Sequence, residues 1–319
     1  MVDNKTKSKS ITEASASPAT KIERIDFHNE IRNNNFKTYL LFVLFFGLIF
    51  LIAIALKAIF SFAGYGILTI AGVIAIIYGL IGYYAGDKMV LWSTGAVLAD
   101  PTKYLHLHNT VEGLAIAAGI PKPKVYIIND PSPNAFATGR NPEKSSIAVT
   151  SGLLQIMTRE ELEGVIAHEL SHVANRDIKV MTIVSILFGF VSIISDFALR
   201  GILFGAVSGG DDRGNSNWIV LAIALVFVIL APIFAMLVQF SISRKREYLA
   251  DASGARLTRY PQGLANALRK IDKVCIPVKG ASEGTAHLYI SNPFKKKSFW
   301  NLFSTHPPIE ERIKRLEAM

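Results

Sequence analysis

His168, Glu169 and His172 stand in the order His-Glu-Leu-Ser-His. On a helix, residues four apart lie about one turn apart on the same face, so the two imidazoles can close on one metal ion. Glu169, beside the first of them, can reach a water held by that ion. A divalent cation that sharpens the acidity of water, next to a carboxylate that takes the proton, is equipment for hydrolysis. The bare pattern is short enough to arise by chance, and a histidine pair on a helix also serves as a hydrogen-bonded structural feature.

The element that must position these side chains is legible around them. Thr158 followed by Glu161 is a capping box. Leu162, Val165, Ile166 and Val173 recur at helical spacing, and no proline interrupts. Gly164 costs about 1 kcal/mol against alanine, which such a helix tolerates. H-E-x-x-H on a helix is the arrangement of zinc metalloproteases.

Two histidines do not complete a catalytic site; a third protein ligand is needed, leaving one position for water. A glycine at position 175 and a histidine at 178 would extend the motif to the metzincin pattern, but Asn175 and Ile178 stand there. Asp177, five residues beyond His172, points off the metal face. The best candidate is a distant acid, Glu247, in Arg246-Glu247-Tyr248-Leu249-Ala250-Asp251. Glu247 would be the third ligand. Asp251, one turn further, would accept a hydrogen bond from a ligand imidazole and fix its orientation. The competing reading is a solvated face pairing with the nearby arginines. The chain has one cysteine, Cys275, so a thiolate cage is excluded and the ion must be held by histidine and carboxylate. One zinc ion per chain is expected, although two histidines and a carboxylate suit several divalent metals.

The chain has 319 residues, half of them hydrophobic and only 18% charged. Its mean hydropathy is +0.34, too apolar for an ordinary soluble domain. Four apolar runs account for this: residues 38–60, 63–84, 180–199 and 218–240. Each is long enough to span a bilayer core. The link between the first two makes them a hairpin. The last two hold more polar residues, with Pro232 as a kink, and packing on the polar domain is their alternative.

Five segments follow. Residues 1–35 are a polar N-terminal tail, with a short helix at 22–31 near the membrane surface. Residues 36–85 are transmembrane hairpin 1, and 86–178 the first part of the catalytic domain with the H-E-x-x-H helix. Residues 179–240 are transmembrane hairpin 2, and 241–319 the second catalytic part with the third ligand. In the first part we expect a helix at 101–118 stopped by Gly119, and strands at 125–128, 134–138 and 146–150, a small sheet beside the metal helix. The second part predicts helices at 241–260, 262–273 and 308–319, the last with Ile309, Ile313 and Leu316 on one face. Both polar parts and both termini share one side of the bilayer. That side carries nearly all the Lys and Arg, including Arg244, Lys245 and Arg246 at a membrane exit, so it is cytoplasmic and the protein a multi-pass protein of the cell membrane. The net charge of +9 flanks apolar runs, where anionic headgroups account for it without nucleic acid.

Several separated motifs agree in order: two apolar runs, Asn134-Ala135-Phe136, AHELSHVANRD, two more apolar runs, SRKREYLADASGA, and Thr305-His306-Pro307-Pro308. From about Ile31 onward the chain resembles the HtpX family, membrane-bound zinc proteases of bacteria and archaea related more distantly to the CAAX prenyl proteases. The resemblance implies an α+β membrane protein: a mainly helical, gluzincin-like zinc protease domain with a small β-sheet, joined to four transmembrane helices in two hairpins. It implies ATP-independent endoproteolysis of membrane or misfolded proteins in quality control and stress response. Carried over by residue, it makes His168, His172 and Glu247 the zinc ligands and Glu169 the general base. Asn134, Ala135, Phe136 and Ala137 resemble the edge strand that pairs with an extended substrate through main-chain hydrogen bonds. His306 resembles a histidine near the scissile carbonyl; with Tyr248 as the weaker candidate, it would stabilise the oxyanion. His306-Pro307 reads equally as a turn opening the last helix. The expected partners are polypeptide substrates and the lipid bilayer; no oligomeric state is implied. Residues 1–20 have no counterpart in the resemblance. Two rivals stand beside this reading. A CAAX-type prenyl-protein protease has more membrane helices than the four runs here. A non-catalytic membrane scaffold with a structural metal needs a fourth protein ligand.

Overall fold

The structure is a computed structural model that describes residues 27–59, 66–190, 244–274, 276–282, 284–294 and 307–319. Its centre is a strand of small and apolar residues, Ser-Ser-Ile-Ala-Val-Thr, every one of them buried. Such a strand needs neighbours on both edges and cover on both faces. It is the inner member β4 (Ser145–Thr150) of a four-stranded mixed sheet ordered β1-β2-β4-β3. The others are β1 (Val97–Leu98), β2 (Lys124–Ile128) and β3 (Ala135–Gly139). β2 runs parallel to β4, with Val125 opposite Ile147. β3 runs antiparallel, with Ala135 opposite Val149. The three expected strands are β2, β3 and β4, with ends displaced by no more than one residue. Gly139 extends β3 because its φ of 143° and the carbonyl of Lys144, 2.5 Å from where a Cβ would stand, admit only glycine. β1 was not expected: two exposed residues carry no alternation to read.

The helices are α1 (Phe27–Ile59), α2 (Gly66–Ser93), α3 (Leu105–Ala118), α4 (Ser151–Ile156), α5 (Arg159–Ala174), α6 (residues 177–190), α7 (Arg244–Thr258), α8 (Pro261–Lys273) and α9 (Ile309–Glu317). Two expectations need correction. Of the short surface helix expected at 22–31, residues 27–31 belong to α1, and 22–26 lie outside the described residues. From Phe27 the chain is already in α1, because neither glycine nor proline occurs before Gly47 to break it. The helix expected from Pro101 begins only at Leu105. The Asp100 carboxylate accepts the backbone N–H groups of Thr102 and Lys103 at 2.7 and 3.2 Å and holds that stretch as a turn. Gly119 ends it as expected, at φ 68°.

α5 opens on the full capping box: the Thr158 N–H donates to Glu161 Oε2 at 2.8 Å, and the Thr158 hydroxyl accepts from the Glu161 N–H. One face of α5 lies on the sheet, and α7 and α8 pack against the others. Gly164 and Gly254 permit that approach. A Cβ on Gly164 would lie 2.6 Å from the Leu264 nitrogen, and one on Gly254 would lie 3.0 Å from the His168 nitrogen. Val165, Ile166 and Leu170 of α5 interlock with Leu264 and Leu268 of α8 over Ile147. Leu316, with Ile309 and Ile313, brings α9 onto this core, as its apolar stripe predicts.

A second cluster ties α1 to α6, where Leu41, Phe45 and Ile49 meet Val180, Ile183 and Leu187. The described part of the third apolar run is therefore buried against the first. The rest of that run and the whole fourth run lie outside the described residues. α1 and α2 also turn large apolar side chains outward, among them Phe36, Val43, Ile74, Ile77 and Leu80. Among the described residues, one segment, Gly72–Ser93, is long and apolar enough to cross a membrane.

Candidate metal centre

α5 carries His168, Glu169 and His172, and α7 brings Glu247 and Asp251 against them. The His168 and His172 Nε2 atoms are 3.2 Å apart. The Glu247 carboxylate lies 3.8 Å from the first and 3.6 Å from the second. All three side chains are buried, and among the described residues they form the one group of His, Cys, Asp and Glu placed to share a cation. Glu247 and Asp251 are 7% and 2% exposed, so neither belongs to a solvated face.

The hydrogen bonds behind the imidazoles fix which nitrogen faces inward. Asp251 Oδ1 lies 3.0 Å from His168 Nδ1, and Asp177 Oδ2 lies 3.0 Å from His172 Nδ1. An ionised carboxylate only accepts, so each Nδ1 carries hydrogen and donates. Both Nε2 lone pairs then converge with a carboxylate in a space without water's screening. These atoms repel unless a positive charge stands among them. Without metal, that charge is a proton on His172. Burial pulls this imidazole down, but the hydrogen bond to Asp177 and the charges of Glu247, Asp177 and Glu169 carry it up to about 9. His168 goes the other way: burial outweighs its bond to Asp251 and leaves it below the usual range. Two imidazoles and a carboxylate around one point are a donor set that fits zinc.

Glu169 is buried beside the three donors. Burial is the largest influence on it and, with Glu247, outweighs the pull of His172, so its carboxyl stands at about 7. The backbone N–H of Ala137 donates to it, while its Oε1 has no hydrogen-bond partner among the described residues.

Sequence reasoning missed Arg312 on α9. Its guanidinium donates from Nε and Nη2 to the two oxygens of Asp251, at 2.9 and 2.7 Å, and from Nη1 to the Ile290 carbonyl at 2.9 Å. It is wholly buried. Burial pushes Asp251 up, but Arg312 and His168 more than reverse this, holding it ionised below the carboxylate range. A signal was available: Arg312 lies three residues from Ile309 and four from Leu316, inside the apolar stripe of α9. A cation on such a stripe requires a buried anion.

Asp177 does point away from the metal-facing nitrogens, yet it has a task there. Arg176, at φ 58°, reverses the chain after α5 and returns the Asp177 carboxylate to the back of His172. Asn34 of α1 then donates from Nδ2 to Asp177 Oδ1 at 2.7 Å and to the Asn175 carbonyl at 3.1 Å.

Asn134 precedes β3, and Ala135, Phe136 and Ala137 lie in it at one edge of the sheet. That edge already has partners. The Ile290 N–H donates to the Ala135 carbonyl at 2.9 Å, Phe136 bridges Tyr289, and Asn134 Nδ2 donates to the Ser291 carbonyl at 3.1 Å. Beyond them the Gly139 N–H donates to Thr182 Oγ1 at 3.1 Å. His306 lies outside the described residues. Tyr248 is engaged elsewhere, with the Arg315 guanidinium 3.7 Å from its ring centre and its hydroxyl bonded to Glu311. An oxyanion role for Tyr248 is set aside on that ground.

Residues 101–319 match the family described as Peptidase family M48. The chain is 50% identical over 287 residues to the protease HtpX homolog of Caldanaerobacter subterraneus subsp. tengcongensis, covering 89% of this chain and 94% of that one. It is 45% identical over 295 residues to the protease HtpX homolog of Dictyoglomus turgidum, covering 92% and 95%. It is 47% identical over 297 residues to that of Lactobacillus helveticus, covering 92% and 99%. The crystal structure of S. mikatae Ste24p aligns with 91% of this chain and 67% of its own, at a TM-score of 0.49 and 20% identity.

Proposed function

The chain belongs to peptidase family M48, and from that premise we propose that it is a zinc-dependent endopeptidase of the cell membrane that cuts membrane or misfolded polypeptides. The observation that carries this reading is the convergence of His168 Nε2, His172 Nε2 and a Glu247 carboxylate oxygen within 4.8 Å of one another, with Glu169 buried alongside. A purely structural site would call for a fourth protein ligand. The name protease HtpX homolog, shared by the relatives above, favours this reading over a prenyl-protein protease.

His168, His172 and Glu247 hold the ion, one per chain, and Asp251 and Asp177 keep each ring turned with Nε2 inward. When bound, the zinc supplies Lewis acidity that makes water a nucleophile near neutral pH. Glu169 would accept the proton of the attacking water and return it to the leaving amine. His306 is proposed to steady the oxyanion.

The apolar faces of α1 and α2, exposed among the described residues, support a place in the bilayer. With the four apolar runs crossing as two hairpins, the positive charge keeps the catalytic parts and both termini cytoplasmic. Peptide binding is assigned to β3, on the condition that the substrate strand exchanges with residues 289–291, which hold its edge. A Phe136→Cys, Tyr289→Cys pair joins the two strands when oxidised. Cleavage should stop on oxidation and return on reduction; equal activity in both states places the substrate elsewhere.

The deciding experiment is metal content and casein cleavage on detergent-purified protein. Wild type should hold one zinc per chain and cleave, Glu169→Gln should keep zinc and lose turnover, and Glu247→Ala should lose the metal. Full cleavage by Glu169→Gln sinks the assignment of the base. Tight zinc binding without cleavage, retained in Glu247→Ala, moves the protein to the scaffold reading.

A further inference from the structure

We infer that Asn34 is a positioning residue for the metal ligand His172, and that the first apolar helix acts on the affinity of the centre for its ion through this side chain rather than through its packing at large. The inference rests on the metal-centre reading above and extends it to a helix that carries no ligand.

The geometry is a relay of three side chains. Asn34 Nδ2 donates to Asp177 Oδ1 at 2.7 Å, and Asp177 Oδ2 accepts from His172 Nδ1 at 3.0 Å. The second amide hydrogen of Asn34 goes to the Asn175 carbonyl at 3.1 Å. Both partners accept only, so the amide must face them with its NH2 group, and both hydrogens are used. Asn34 and Asp177 are each 1% exposed, which excludes water as a substitute for either. An outer partner of a ligating imidazole fixes its ring and raises its basicity. Asp177 has that role, and Asn34 in turn decides where the Asp177 carboxylate sits.

The turn that presents Asp177 has local backbone bonds of its own, Arg176 N–H donating to the Val173 carbonyl at 3.1 Å and Lys179 N–H to the Arg176 carbonyl at 3.3 Å. It also passes through Arg176 at φ 58°, a conformation uncommon for a residue other than glycine. Asn34 bonds on both sides of that reversal, to Asn175 before it and to Asp177 after it. One residue on, Asn35 Oδ1 accepts from Lys179 Nζ at 3.3 Å, and further along Leu41 and Phe45 pack on Val180 and Ile183. α1 therefore grips the start of α6, and among the described residues Asn34 is the side chain of α1 that bonds to the carboxylate behind the imidazole.

The test is zinc affinity, measured by competition with a chromophoric chelator on full-length protein in detergent. Asn34→Ala should weaken zinc binding by about tenfold, and Asp177→Ala by at least as much. In an Asp177→Ala background, Asn34→Ala should add nothing further. Asn35→Ala removes the neighbouring contact of the same helix and should leave affinity unchanged. Asn34→Ser, a smaller change, covers the case in which alanine prevents folding. Affinity unchanged to within twofold in folded Asn34→Ala and Asn34→Ser overturns the inference. So does an equal loss in Asn35→Ala, which makes the effect one of general helix seating. So does a tenfold effect of Asn34→Ala that persists without Asp177. Wild-type protein that binds no zinc defeats the metal-centre reading itself, a result distinct from all of these.

Discussion

The two histidines present their Nε2 atoms 3.2 Å apart to the same point, yet the regions behind them are built differently. Behind His168 stands a charged clamp: Asp251 is held by both arms of Arg312, which is anchored in turn on the Ile290 carbonyl. Behind His172 stands Asp177, held by the neutral amide of Asn34. The first support comes from helices of the protease domain, the second from an apolar helix that reaches the centre by one side chain. Their electrostatics diverge accordingly, with His168 below its ordinary range and His172 raised to about 9. A ligand backed by a charged clamp and one backed by a neutral amide thus share one site. The charged side costs most to break, and the neutral side acts on how tightly the ion is held.

The largest effect expected from breaking this asymmetry is at Arg312. Arg312→Met leaves Asp251 buried without its counter-charge, a loss of about 3–5 kcal/mol that urea unfolding of the metal-free protein should record. Asp177→Ala should spare most of that stability and cost about 10–100-fold in zinc affinity by chelator competition. If the two variants lose stability equally, the contrast between the supports is wrong.

A pH series sharpens the same contrast. Because His172 is raised to about 9 in the metal-free chain, it is protonated at neutral pH and must release that proton to bind the ion. Apparent zinc affinity should therefore weaken by about tenfold for each pH unit below about 9. Calorimetry at neutral pH in buffers of different ionisation enthalpy should show close to one proton released. Asp177→Asn should reduce that number, since the carboxylate bond is the first of the influences raising His172. The smallest effect belongs to a residue outside both supports. Tyr248→Phe should change cleavage and stability by no more than about 0.5 kcal/mol, because its hydroxyl is bonded to Glu311 at the surface.

The contrast also marks what the sequence made legible. His168, Glu169 and His172 could be read because helical spacing is local, and a capping box announced the helix. Glu247 could be picked out as a distant acid by its one-turn spacing to Asp251 and by the family resemblance, not by its distance along the chain from His168. The rest depends on separation along the chain. Arg312 meets Asp251 across 61 residues and Asn34 meets Asp177 across 143, and no local pattern links such pairs. Arg312 alone left a trace, as a cation on an apolar stripe. Asp177 was placed correctly off the metal side, but its bond to the far nitrogen of His172 depends on the reversal at Arg176, which composition does not announce. Three of the four strands, β2, β3 and β4, were legible to within a residue, and the two-residue β1 was not. The cover on the edge of β3 was not, since residues 289–291 form no regular element of their own.

The clamp on Asp251 has a consequence for biosynthesis. A ribosome delivers Asn34 early and Arg312 long afterwards. Until Arg312 emerges, Asp251 lacks the guanidinium that holds both its oxygens, and the carboxylate behind His168 is without that support. Throughout the interval before α9 is made, the chain carries the ligands of the centre without the clamp that sets one of them. On the proposed function, competence for cleavage is thereby deferred until α9 has been made.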